Sequence, residues 1–333
     1  MGGQRKTLLF VSGDPGGISS LAPVIETCES FADITLWLHA DSLAAYSPRH
    51  PQLTSLDINA LRAFAPDLVI TGTSMAPDSD DKRAVRLANE AGIPSIAFVD
   101  FWSNYRERFA DAAGKLHFPD FIAAVDDAAC GEMAALGFPE EKLLPIGPLR
   151  LEGLPKPNPD RKGILFISQC LEEAYGGREA CRQRLGYCPE DAFRCLQAAH
   201  IPDMPLAVRF HPREKPFPLP AGVEDWSDGE ASAALARAEL VAGMTGSMLL
   251  DAYFMRLPVV RIQPGMVGPG NQREDALMLS RRGFIPRLGS TEELQEALPG
   301  LLAASPAIAP ELASWSDGKA VARFVTLIRR QLA

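Results

Sequence analysis

The sequence predicts an α/β protein made of two units, each a parallel sheet covered by helices. Three observations carry that prediction: short apolar runs recur along the chain, the stretches between them have helical period, and a proline-rich segment divides the runs into two sets. Parallel strands are buried on both faces and so read as continuous apolar runs, joined by crossovers long enough to hold a helix. A chain of 333 residues, 47% hydrophobic, can bury a sizeable core, and its length favours two domains over one.

The first set of runs is TLLFVSG at 7–13, ITLWLHA at 34–40, DLVITGT at 67–73, PSIAFVD at 94–100 and FIAAVD at 121–126. The second is GILFISQ at 163–169, LAVRFH at 206–211, ELVAGM at 239–244 and PVVRI at 258–262. Between them lies GPLRLEGLPKPNPDRK at 147–162, with four prolines and little periodicity. This predicts a first domain at 1–150, a linker at 151–162, a second domain at 163–315 and a closing helix at 316–333. Val321, Phe324, Val325, Ile328 and Leu332 recur at helical spacing in that last segment. Gly289 to Leu294 reads as a capping box, with Ser290 accepting from the Glu293 N–H and the Glu293 carboxylate reaching back.

Composition narrows the function. A formal charge of −9 excludes an extended nucleic-acid surface, which needs a basic face, but leaves room for a small anionic ligand held by local donors. No apolar run reaches membrane-span length, and the N-terminal stretch shows no signal-peptide pattern, so a cytoplasmic protein is expected. The six cysteines form no C-x-x-C pair and no metal spacing, so neither disulfides, zinc nor a redox couple is expected.

Four stretches carry chemistry. In VAGMTGSMLLDAYFM a strand becomes a helix through Thr245, Gly246 and Ser247, where free N–H groups favour an anion. Asp251, six positions after Thr245, suits the hydroxyls of a ribose; the alternative is a plain helix cap with a solvated Asp251. Next, His211 ends a strand before Pro212, where its imidazole and the Arg213 guanidinium could meet phosphate oxygens. In the first half Ser12 to Gly17, SGDPGG, links a strand to a helix without the G-x-G-x-x-G pattern of a nicotinamide site; it is either a ligand-facing loop or a turn. Last, AFVDFWSNYRERF places Trp102, Asn104, Arg106 and Arg108 behind Asp100 at a strand end, a set that suits a sugar ring or a loop packed by its own aromatics.

The His-Pro strand end, the hydroxyl-glycine turn, the acid six residues on and the following Leu-Pro-Val-Val resemble the nucleotide-binding half of GT-B glycosyltransferases and the related nucleotide-sugar 2-epimerases. Those epimerases carry Asp-Ser-Gly-Gly at the turn and a later Glu; polysialyltransferase and glycerophosphotransferase relatives carry Ser-Ser and a later Asp. Here Thr245 takes the place of the phosphate-binding serine, Ser247 the second small position, Asp251 the ribose carboxylate and His211 the phosphate-facing histidine. Met244 and Thr245 match neither subgroup. The resemblance is most specific over residues 163 to 290. The Asp100 to Phe109 run is similar to runs in proteins of bacterial surface-polysaccharide synthesis.

This resemblance implies two Rossmann-like domains facing across a cleft, the GT-B architecture, and a glycosyltransferase using a nucleotide-activated sugar without a metal or other cofactor. His211, Arg213, Thr245, Gly246, Ser247 and Asp251 would hold the nucleotide. Gly16, Gly17, Trp102, Asn104, Arg106, Arg108 and Glu274 would meet the sugar or acceptor. Asp100, and after it Asp14, would take the acceptor proton. The partners implied are the nucleotide sugar and a glycan or other acceptor, with peripheral membrane association if that acceptor is lipid-linked. The alternatives are a nucleotide-sugar 2-epimerase or hydrolase, and a nucleotide-binding protein without catalysis.

Overall fold

A computed structural model describes residues 5–46, 49–199, 201–265, 277–313 and 315–333. The chain divides into two compact units, Met1–Glu152 with Glu311–Ala333, and Gly153–Pro310. The first contains strands β1 (Lys6–Ser12), β2 (Ala32–Leu38), β3 (Leu68–Thr71), β4 (Ser95–Val99), β5 (Phe121–Ala124) and β6 (Leu143–Pro145), all parallel in the order β2-β1-β3-β4-β5-β6. The second contains β7 (Ile164–Ile167), β8 (Leu206–Arg209), β9 (Val223–Asp225), β10 (Leu240–Gly243), β11 (Val259–Ile262) and β12 (Arg287–Leu288), parallel in the order β12-β11-β10-β7-β8-β9.

All nine apolar runs are strands, and their burial explains their composition. Leu8 to Val11 of β1 and Leu165 and Phe166 of β7 are completely buried, as inner strands covered on both faces must be. The edge strand β2 alternates instead, with Asp33 exposed between buried Ala32 and Ile34. The three strands that the sequence does not reveal, β6, β9 and β12, are two- or three-residue edge strands with no apolar run of their own.

Both sheets have a point where the chain order reverses. From β1 the chain passes to β2 on one side and later to β3 on the other; from β7 it passes to β8 on one side and later to β10 on the other. The loops leaving these strands diverge, and the crevice at their carboxyl ends is where open α/β sheets bind ligands.

The closing helix spans Ala320–Gln331 and belongs to the first unit, with Phe324, Leu327 and Ile328 buried. The Phe324 ring lies 5.8 Å from that of Phe98 on β4, and Glu152 accepts the Val321 N–H at 2.9 Å. Residues of the proline-rich segment are tied to the second unit, Asn158 and Lys162 donating their N–H groups to the carbonyls of Ala236 (2.8 Å) and Arg237 (3.0 Å). At the helix Thr291–Ala303, Ser290 accepts the Glu293 N–H at 3.2 Å, while the Glu293 carboxylate passes Ser290 to take the Gly289 N–H at 2.6 Å. Among the described residues no helix is long and apolar enough to cross a membrane.

Candidate functional site

In the second unit the loops after β7, β8 and β10 line a pocket of about 390 Å³ at the order reversal. Its polar lining residues are Ser168, Gln169, Arg209, His211, Gly246 and Ser247, and none of the described residues that line it is acidic. His211 lies just past β8, and its Nδ1 accepts the Arg213 N–H at 3.2 Å. The ring proton therefore sits on Nε2. Burial, and then the positive charge of Arg213, hold the imidazole below its ordinary value of 6.5, so at neutral pH it is uncharged with a single N–H to donate.

Glu214 ties two of the pocket loops together. Its carboxylate accepts the Ser168 hydroxyl at 2.6 Å and the His211 N–H at 3.1 Å. Burial raises this acid from 4.5 to about 7. Arg209 lines the pocket, but its guanidinium is spent on the carbonyls of Trp226 and Gly229, each at 2.7 Å, and so braces the following loop.

Thr245 and Asp251 differ from expectation. The Thr245 N–H (2.7 Å) and hydroxyl (3.2 Å) both donate to Gln169 Oε1, and Thr245 is not among the residues lining the pocket. Asp251 is 6% exposed on the helix Met248–Phe254 and does not line the pocket either. That helix has seven residues, with Ser247 at its N-cap and no side-chain cap hydrogen bond. The Arg213 side chain is exposed outside the lining, its part in the site being the backbone N–H on His211. Gly246 and Ser247 line the pocket. Glu274 lies outside the described residues.

In the first unit the loops after β1 and β3 come together through glycines. A Cβ at Gly17 would fall 2.9 Å from the Ser12 hydroxyl and 3.7 Å from the Gly72 Cα, so Gly17, expected to meet substrate, is instead a buried packing contact. Gly16 is exposed and flanked by two carboxylates: a Cβ there would lie 3.3 Å from Asp14 Oδ1 and 3.7 Å from Asp100 Oδ2. Asp14 caps the helix Pro15–Cys28, its Oδ1 accepting the Gly17 N–H at 2.8 Å. Burial raises its pKa, opposed by the Gly17 N–H and assisted by the charge of Asp100.

Asp100 is paired. Arg108 Nη1 contacts Asp100 Oδ1 at 2.8 Å and also donates to the Thr73 carbonyl (2.7 Å) and hydroxyl (3.0 Å), while its Nε donates to the Ser103 carbonyl at 3.0 Å. Arg108 is 8% exposed, so it is an internal strut between the loops after β3 and β4, not the substrate-facing fork expected of it. Asp14, the second candidate, sits where burial raises its proton affinity.

The remaining residues of that stretch also separate. Trp102 is 2% exposed, and its indole N–H donates at 2.6 Å to Asp126, the cap of the helix Asp127–Ala135; it is buried in the unit and cannot stack on a sugar. Arg106 is exposed and reaches the Leu136 carbonyl at 3.5 Å, beyond the end of that helix. Asn104 is exposed with φ 57°, a left-handed conformation that Asn tolerates, and its amide donates to the Ser103 hydroxyl at 3.1 Å.

No family model and no curated protein matches the chain by sequence. Solved structures do match it. The kitacinnamycin glycosyltransferase superposes with a TM-score of 0.66 at 18% identity, covering 99% of this chain and 100% of that one. The UDP-GlcNAc 2-epimerase from Neisseria meningitidis, solved with UDP-GlcNAc, gives 0.65 at 12% identity over 97% and 100%. The wall teichoic acid polymerase TagF gives 0.61 at 11% identity over 99% and 89%. The chain has the GT-B fold. At such identities the likeness establishes the GT-B fold and not the reaction, so the activity has to be argued from the side chains.

Two residues of this GT-B chain escaped the sequence reading. Gln169 is the second residue after β7 at the order reversal, a signal available from GILFISQ once that strand is known to be central. Asp81 has no such signal. It is 2% exposed on the helix Asp80–Ala91, and its two oxygens accept the Gly13 N–H at 3.1 and 3.0 Å, holding the loop that carries Asp14. Burial, then the charge of Asp14, push it from 3.8 to about 7.

A folded-state pKa above the unfolded value means that the native protein binds more protons than the unfolded chain between the two values. The contributions of Asp81 and Glu214 are therefore fully present below about 4 and are lost as pH rises through about 7. The melting temperature of the wild type is expected to fall between pH 5 and 8. Asp81→Asn keeps an acceptor for Gly13 and should flatten that fall; an unchanged slope would show that Asp81 ionises freely.

Proposed function

We propose that the chain is a glycosyltransferase that takes a sugar from a nucleotide-activated donor whose diphosphate occupies the second-unit pocket. The observation that carries this reading is the convergence of a neutral imidazole, an amide and a hydroxyl in a pocket whose described lining residues include no acid, at the order reversal of that sheet. Such fixed donors stabilise the charge that a diphosphate gains as it leaves the sugar. In the first unit Asp14 serves as the group that takes the acceptor proton, with Asp100 and Arg108 setting the local charge. A transferase and a polymerase with this fold support the reading, as does an epimerase with this fold that was solved with UDP-GlcNAc.

Epimerisation or hydrolysis of the nucleotide sugar is the second reading. It is favoured by the two carboxylates flanking Gly16, since epimerisation needs an acid and a base. Incubation of the purified chain with single nucleotide sugars separates the two. A donor that remains intact until an acceptor is added supports transfer; an epimer or free sugar formed without acceptor replaces it with the second reading.

His211→Ala is expected to weaken binding of a nucleoside diphosphate by about tenfold or more, the scale of a hydrogen bond to a charged group, and of the bare nucleoside much less. Equal losses, measured by calorimetry, would place His211 against the nucleoside.

A further inference from the structure

Gln169 is held in one orientation by residues far from it in sequence. Its Oε1 accepts both the N–H and the hydroxyl of Thr245, 76 positions away. Turning the amide over would set an NH₂ group against a backbone N–H, donor against donor, so only the observed orientation satisfies the contact. The amide lies along Gly246, where a Cβ would sit 3.5 Å from both Cδ and Nε2. Among the described residues Nε2 has no hydrogen-bond acceptor, and Gln169 lines the pocket beside His211, Gly246 and Ser247.

We propose that Gln169 is a ligand-binding residue whose pinned amide donates from Nε2 to a phosphoryl oxygen of the nucleotide, and that Thr245 acts through it as a positioning residue. This rests on the proposed nucleotide reading of the pocket. A side chain that must be ordered on binding loses rotamer freedom, whereas Gln169 is already ordered by two hydrogen bonds. The occupant of Nε2 is assigned as phosphoryl because the described lining contains donors and no carboxylate. Thr245 has both its donors committed to Oε1, so it shapes affinity without touching the ligand.

The substitution Gln169→Glu tests this directly. A carboxylate still accepts from Thr245, so folding is preserved, but the pocket-facing donor becomes a negatively charged acceptor. Wild type is titrated calorimetrically with UDP, CDP, GDP and ADP and with the matching nucleosides, and each variant with the diphosphate bound most tightly and its nucleoside. Gln169→Glu is expected to weaken the diphosphate by about 30-fold or more and the nucleoside by less than about threefold; Gln169→Met, which removes the donor together with the Thr245 acceptor and adds no charge, by about tenfold and less than about threefold. Equal losses for both ligands would place the amide against the base or ribose and overturn the proposal, and so would unchanged diphosphate affinity. Should Gln169→Glu melt early, the Gln169→Met comparison decides alone. Failure of the wild type to bind any of these ligands would remove the nucleotide reading itself, an outcome distinct from a variant that binds like wild type.

Discussion

Asp14→Asn is expected to lower turnover by about 10²–10⁴-fold, the usual worth of a positioned acid or base, with nucleotide affinity almost unchanged. The substitution is clean because Asn caps a helix about as well as Asp. The bond from Gly17 N–H to the side-chain oxygen, 2.8 Å in the native chain, is preserved in kind while the proton affinity is lost. Asp100→Asn gives the contrast: with Asp100 already paired to Arg108, its loss should cost stability and lower turnover less than Asp14→Asn. Single-turnover rates and melting temperatures from the same preparations decide between them. If Asp100→Asn abolishes turnover and Asp14→Asn does not, the proton acceptor is Asp100 and the ion pair orients it.

Arg108→Met is expected to destabilise the protein by about 3–5 kcal/mol, the cost of breaking a buried ion pair from one side. The side chains of Arg108 and Asp100 are 9% and 17% exposed, so little solvent replaces the lost partner. The same substitution leaves the carbonyls of Thr73 and Ser103 without their donor, adding the penalty of buried acceptors. Restoring neutrality with Asp100→Asn in the same chain should recover part of the loss, and a double-mutant cycle in denaturant unfolding reads the coupling. A loss below about 1 kcal/mol would mean that the pair behaves as an exposed one.

The inner strands were legible because burial on both faces leaves a local mark, an unbroken apolar run, in each of them. The order of the sheets was not, since it depends on which strand the chain passes on each return, and β6, β9 and β12 are too short to leave a mark. The site was legible by place and less so by role. His211 and Ser247 were found at strand ends, and they line the pocket. Thr245 looked like a phosphate ligand because a hydroxyl at a turn reads the same whether it meets a ligand or the amide of a residue 76 positions earlier. The stretch from Asp100 to Arg108 shows the same ambiguity. Trp102 and Arg108 turn inward because Asp126 and Thr73, distant in sequence, supply buried acceptors, while Asn104 and Arg106 of equal promise stay outside.

The central claim is that the second-unit pocket holds a nucleoside diphosphate. Hydrogen exchange of the full chain with and without a saturating nucleoside diphosphate tests it most directly, because bound backbone and ordered loops exchange more slowly. The account predicts added protection in residues 167–171, 209–213 and 245–248, the loops after β7, β8 and β10, with the loops after β1 and β3 unchanged by the nucleotide alone. Protection confined to residues 12–17 and 72–82, with the second-unit loops exchanging as before, would contradict it.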